Sequence, residues 1–253
     1  MSGRPEALFP LFAGLEGLPG VGPRTAKALA GLGVAVPRDL LFLLPEGGVD
    51  RRLRASVRGV IPPAVVTVEV EVGLHHPPRS RGRPHRVIVR DAEAEFALVY
   101  FHARGDWLAK LLPTGQRRIV SGRIEAFDSL LQMPHPDHVL RPDEAEALPA
   151  FEPVYPLTAG VTQRMVHKAV AAALERAPDL AEWIDPALKA RERWPDWRAA
   201  LRAAHAPQAA GDLAAISPAR ARLAYDEVFA HQLTLALVRA RRRAAPGRAS
   251  PGD

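Results

Sequence analysis

The residues best suited to chemistry fall in a few short stretches. HHPPRSRGRP, residues 75–84, carries Arg79, Arg81 and Arg83, and Arg86 follows at the start of the next apolar run. A guanidinium is a planar fork that matches phosphate oxygens two at a time, so this cluster suits a phosphodiester backbone. The plainer alternative is a solvated loop. Farther on, Val99-Tyr100-Phe101-His102 sets two aromatic rings side by side. Neighbouring residues of a strand point to opposite faces, so both rings cannot enter one core. A ring left outside either stacks on an unpaired base, worth about 1–3 kcal/mol per base, or packs beneath a neighbouring helix. Near the start, LPGVGPRTAKALAGLGV (residues 18–34) resembles a helix-hairpin-helix, with Lys27 one turn into its second helix. Its glycines and free N–H groups could receive a phosphate, or the turn could be a packing device.

Metal chemistry has two candidates, His135, Asp137 and His138 in HPDH, and the pair His75-His76. Two imidazoles three residues apart can share a metal on a helix. Here Pro134 and Pro136 make the segment extended, no third ligand follows by spacing, and no general base stands beside it. The expectation is therefore neither a metal nor a catalytic residue.

These groups must be positioned by a core. The chain has 253 residues, 47% of them hydrophobic, enough for about two domains. It has no cysteine, which excludes disulfides and thiolate metal sites and suits a reducing cytoplasm. No apolar run approaches the length of a bilayer span, so no membrane contact is expected. The net charge of +6 favours an anionic polymer as partner, whereas the excess of arginine over lysine, which codon bias in a GC-rich genome also produces, decides nothing by itself.

The middle of the chain reads as strands. Val66 to Val72 alternates valine with polar residues, the period of a half-buried strand. Arg86–Arg90 and Phe96–Phe101 follow, then a short helix over residues 104–112, a strand over Arg117–Phe127 bending near Gly122, and Leu130–Met133. This β-β-β-α-β-β order is that of an OB-fold, a five-stranded barrel whose second and third strands usually face oligonucleotides. The fold class is thus α+β. Residues 1–55 form a helix-hairpin-helix-like segment, 56–140 the barrel, and 151–210 a helical segment packing on it, with Trp183, Trp194 and Trp197 as anchors. Ser217 as N-cap and Pro218 at the first position start a long helix to residue 243. The Pro/Gly-rich tail, 244–253, is expected to be disordered.

Taken in order, LPGVGPRTAKAL, VPRDLLFLLP, LVYFH, MPHPDH, EPVYPLTAGVTQRMVHKAV and ARARLAYDEVFAHQLTLALVRAR resemble the N-terminal part of the RecG family of branched-DNA helicases. The resemblance runs from about Leu18 to Arg243. It implies that the barrel is a wedge at the branch point of a replication fork or Holliday junction, with Tyr100 and Phe101 stacking on bases. It implies a role in recombination and repair, a cytoplasmic, nucleoid-associated monomer, and single-strand-binding protein as a further partner. The long helix would connect to a motor. Of the family's stretch after the Leu-Leu-Pro helix, only Asp50 and Arg51 carry over, and His102 stands where an asparagine is usual. No G-x-x-x-x-G-K-[ST] loop exists, nor any glycine-lysine pair, so ATP and magnesium are expected only for a motor absent from this chain.

Overall fold

The structure is a computed structural model that describes residues 4–80, 82–102, 105–128 and 130–244. Arg81 and the tail from residue 245 lie outside the described residues. The chain divides into two compact units, a first formed by residues 1–47 together with 154–253 and a second of residues 48–153.

In the discontinuous unit, two 3-10 turns lead to α1 (Pro23–Ala30) and α2 (Pro37–Phe42). Both helices begin on a proline, whose fixed φ and missing N–H suit a first helical position. Asp39 accepts the backbone N–H groups of Ala35 and Val36, at 2.9 and 3.0 Å, and so caps α2.

The 48–153 unit starts with β1 (Gly47–Asp50) and β2 (Leu53–Arg54). Then come β3 (Ala64–His76), β4 (His85–Arg90), β5 (Glu95–Tyr100), α3 (Gly105–Leu111), β6 (Arg117–Phe127), β7 (Leu130–Pro134), β8 (His138–Leu140) and β9 (Phe151–Val154). β3, β4, β5, β7 and β6 pair in that order, and β6 returns to β3, which closes a five-stranded barrel. The OB-like α+β fold read from the sequence is the fold observed. β3 pairs antiparallel with β6 from Ala64↔Ile124 to Glu71↔Arg117, and β5 lies parallel to β7. Val66, Val68, Val70 and Val72 point inward with Val87, Val89, Phe96, Leu98, Ile124 and Met133. β3 runs beyond Val72 through an irregularity in its pairing with β4.

Gly122 sits where β6 changes partner, from β8 at Ile119–Ser121 to β7 at Glu125–Phe127. A Cβ there would meet Met133 Sδ and Pro136 Cα at 3.0 Å each, so glycine is what lets the returning chain pass so close. Asp91 closes the turn after β4. Its buried carboxylate accepts the Ser56 hydroxyl at 2.8 Å and the N–H groups of Val57, Glu93 and Ala94. Burial raises its pKa, and these hydrogen bonds outweigh burial and bring it below the ordinary value.

After β9 the chain returns to the first unit with α4 (Gln163–Glu175), α5 (Pro186–Glu192), α6 (Trp197–His205) and α7 (Pro218–Ala244). Thr162 and Asp185 cap α4 and α5 with their side chains. α7 starts at Pro218 as its spacing predicts, but the Ser217 hydroxyl donates to Asp212 O instead of capping. Residues 151–210 do not form a core of their own. Val166, Ala169, Val170, Ala173, Ala200 and Leu201 pack with Leu29, Leu40 and Leu41 of the N-terminal segment. Buried His205 links three stretches, through Tyr155 Oη at 2.9 Å and Leu41 O at 3.0 Å. Arg222 of α7 is wholly buried and bonds Glu182, Asp226 and the carbonyl of Pro195. Of the three tryptophans, Trp197 packs on this core, Trp183 donates its indole N–H to Asp226, and Trp194 lies against Tyr225.

An ion cluster around the buried Arg51 ties the barrel to β9. Arg51 reaches Glu152 and Asp137 at 2.8 Å each and Ser121 Oγ at 3.0 Å, and Ser121 bonds Thr67 at 2.7 Å. His138 Nε2 donates to Glu152 at 3.1 Å. Burial pushes Glu152 upward, yet the His138 hydrogen bond and the charges of His138 and Arg51 prevail and hold its pKa at about 2. The folded value is depressed, so this stabilisation is complete above pH 4.5 and lost as pH falls towards 2. Arg51→Ala should cost about 1–3 kcal/mol in a urea melt at pH 7, since it removes charged hydrogen bonds to the half-buried Glu152 and to Ser121. Glu152→Gln should also destabilise at pH 7, and its difference from the parent should shrink between pH 4.5 and 2. An equal difference at pH 7 and pH 2.5 would contradict this account.

Candidate nucleic-acid interface

β5 resolves the aromatic pair by parity. Phe96, Leu98 and Tyr100 face the barrel core, and Tyr100 is only 5% exposed. Phe101 follows on the other side and is 46% exposed. Tyr100 therefore cannot serve as an open stacking surface here, because its ring fills the core. Its hydroxyl is buried without a hydrogen-bond partner among the described residues, and burial raises its pKa.

Around Phe101 the chain assembles rings that its spacing did not announce. His135 stacks on Phe101, with centroids 5.7 Å apart and planes inclined by 30°. The Phe101 N–H donates to His135 Nε2 at 3.2 Å, and the His135 N–H donates to Val99 O at 2.9 Å. The His135 backbone has a φ of 42°, a left-handed conformation that turns the chain between Pro134 and Pro136. Trp107 on α3 is 53% exposed and meets Tyr100 edge to face, with centroids 6.2 Å apart. Tyr100 makes the same kind of contact with His135, at 5.9 Å. The buried tyrosine thus underlies both exposed groups.

Trp107 was legible. Leu108, Leu111 and Leu112 form the buried face of this helix at helical spacing, and Trp107 lies off that face.

The arginine loop leaves the sheet at the same end. His85 pairs with Tyr100 and Arg86 with Val99, so residue 84 stands opposite Phe101 by continuation of the register. Arg79 and Arg83 are exposed and Arg86 is half-buried, and no carboxylate pairs with them among the described residues. At the loop's base His75 bonds Leu112 O at 2.8 Å and His85 at 3.2 Å. Burial and the neighbouring His75 and His76 lower the His85 pKa. Lys27 is exposed in the other unit, beside the Gly20–Gly22 turn.

The residues weighed for metal chemistry are occupied otherwise. His135 holds Phe101, Asp137 pairs with Arg51, His138 bonds Glu152, and His75 bonds His85. Among the described residues no group of three or more His, Cys, Asp or Glu side chains could hold a metal. No described helix is long and apolar enough to cross a membrane.

Comparison with known proteins gives the family. Residues 18–176 match the profile of the RecG wedge domain. The chain is 28% identical over 235 residues to the ATP-dependent DNA helicase RecG of Escherichia coli O127:H6, covering 89% of this chain and 33% of that protein. The RecG of Thermotoga maritima is 26% identical over 230 residues, covering 88% of this chain and 28% of the relative. This chain thus spans about a third of the length of the relatives it matches. A RecG solved bound to a three-way DNA junction superposes with a TM-score of 0.74 at 23% identity, over 96% of this chain and 33% of that one. With this fold and the profile match over most of its length, the chain belongs to the RecG wedge domain family.

Proposed function

We propose that this chain binds branched DNA and parts the strands at the branch point, as the wedge of a RecG-type helicase in recombination and repair. The observation that carries this reading is Phe101, braced on His135 at the end of the barrel where the arginine loop emerges. An exposed ring held rigidly beside unpaired guanidinium groups can cap a base where pairing ends, while the arginines neutralise the adjoining phosphates. Trp107 supplies a second platform from α3. Base stacking favours junctions over linear duplex, because a junction adds unstacked base faces at the branch to those a linear duplex has only at its two ends.

ATP does not fit the residues of this chain. Without a glycine-lysine pair no Walker-type nucleotide loop can form, so strand separation by these residues is passive and any ATP-driven step belongs to a motor. The purified chain is expected to show no ATPase activity with or without forked DNA. DNA-stimulated turnover would refute that expectation.

Phe101→Ala should weaken fork binding by about 1–3 kcal/mol in a gel-shift titration and leave linear duplex unchanged. Trp107→Ala should act in the same direction. Equal fork-to-duplex ratios for parent and Phe101→Ala would sink the stacking role. Tyr100 needs separate variants. Tyr100→Phe should leave binding and stability nearly unchanged, since the lost hydroxyl has no partner. Tyr100→Ala should cost about 3–5 kcal/mol of stability through the cavity it opens, so a double Tyr100/Phe101 alanine variant would report on folding as well as binding.

A further inference from the structure

Many surface arginines of this chain are matched to a carboxylate, as in Arg38–Asp39, Arg117–Glu69, Arg191–Glu192 and Arg202–Glu175. Arg24 and Lys27 on α1 and Arg164 and Lys168 on α4 are among the cations of the first unit that have no such partner among the described residues. All four are exposed. The two helices share one core, through Leu29, Val166, Ala169 and Val170.

Lys168 is held in place. A Cβ at Gly20 would lie 2.0 Å from Lys168 Cε and 2.3 Å from its Nζ, so the lysine stem lies across the bare face of that glycine. Gly20 also has a φ of 77°, which a larger residue adopts with difficulty. The Gly20–Gly22 turn thus carries an ammonium from a helix far along the chain, and Arg24 and Lys27 follow directly on α1. The pairs Arg24/Lys27 and Arg164/Lys168 stand at i,i+3 and i,i+4, where like charges share a face and weaken a helix. A polyanion laid across them would relieve that repulsion.

We propose that the Gly20–Gly22 turn, with Arg24, Lys27, Arg164 and Lys168, is a second DNA contact that takes the phosphate backbone of a duplex arm. It rests on the reading that the chain binds DNA, but it uses neither the aromatic platform nor the barrel. A backbone contact adds affinity for any duplex and carries no preference for a branch.

The test uses the whole chain and two probes, a blunt linear duplex and a fork with the same arms. Lys27→Gln with Lys168→Gln should weaken both probes by about 10-fold near 0.1 M salt and lower the slope of log K against log salt by nearly two. The fork-to-duplex ratio should not move. Arg24→Gln with Lys27→Gln leaves the Lys168 packing on Gly20 untouched and should give the same result if the first variant is unstable. Lys168→Arg should retain parental binding. Arg191→Gln with Arg202→Gln removes the same charge from paired positions and should leave the slope unchanged. A parental slope in the lysine variant, or an equal fall in the Arg191/Arg202 control, would overturn the proposal. Phe101→Ala separates the two readings. A fork preference that survives it defeats the stacking role alone, and a lysine variant with unchanged duplex binding defeats this one alone.

Discussion

The interaction on which the barrel depends is the buried Arg51. Its guanidinium is satisfied by Glu152, Asp137 and Ser121, and Ser121 in turn binds Thr67. Five stretches remote in sequence meet there: the chain leaving β1, strands β3 and β6, the turn after β7, and β9. Desolvating an arginine and a carboxylate is costly, and the cost is recovered only when every lone pair and N–H finds a partner. That requirement fixes the path of residues 135–138. His135 lies two residues before Asp137, so the ion pair on one side of the segment helps place the imidazole that braces Phe101 on the other.

The cluster also explains why the barrel was easier to foresee than its surroundings. The alternating valines of β3 and the apolar runs of β4 and β5 announce themselves because burial imposes a period of two. β1, β8 and β9 have three or four residues each, and their burial is uniformly partial or nearly so. They are held by long-range pairing and by Arg51, neither of which leaves a local periodicity. HPDH showed the same difficulty from the other side. Its residue types suggested ligands, but which partners they would meet depended on Arg51 and Glu152, remote from it in sequence.

Within the candidate interface, parity along β5 required at least one of the two adjacent rings to lie outside, and the structure puts Phe101 there and Tyr100 in the core. His135 could not be foreseen, because its approach depends on the left-handed turn between two prolines and on the parallel pairing of β7 with β5. Trp107 was legible from the polar side of its helix. The arrangement separates two tasks that adjacent aromatics might share: Tyr100 supports from within the core, and Phe101 and Trp107 present their faces to solvent.

The discontinuity of the first unit bears on how the chain is made. Leu29, Leu40 and Leu41 are completed by residues beyond 160, with the whole of residues 48–153 synthesised in between. At about 5–20 residues per second that intervening stretch takes roughly 5–20 s to emerge from the ribosome. The barrel is contiguous and can close as soon as it is out. The N-terminal helices must wait with their apolar faces uncovered until α4 and α6 arrive, an interval in which uncovered apolar surface invites aggregation.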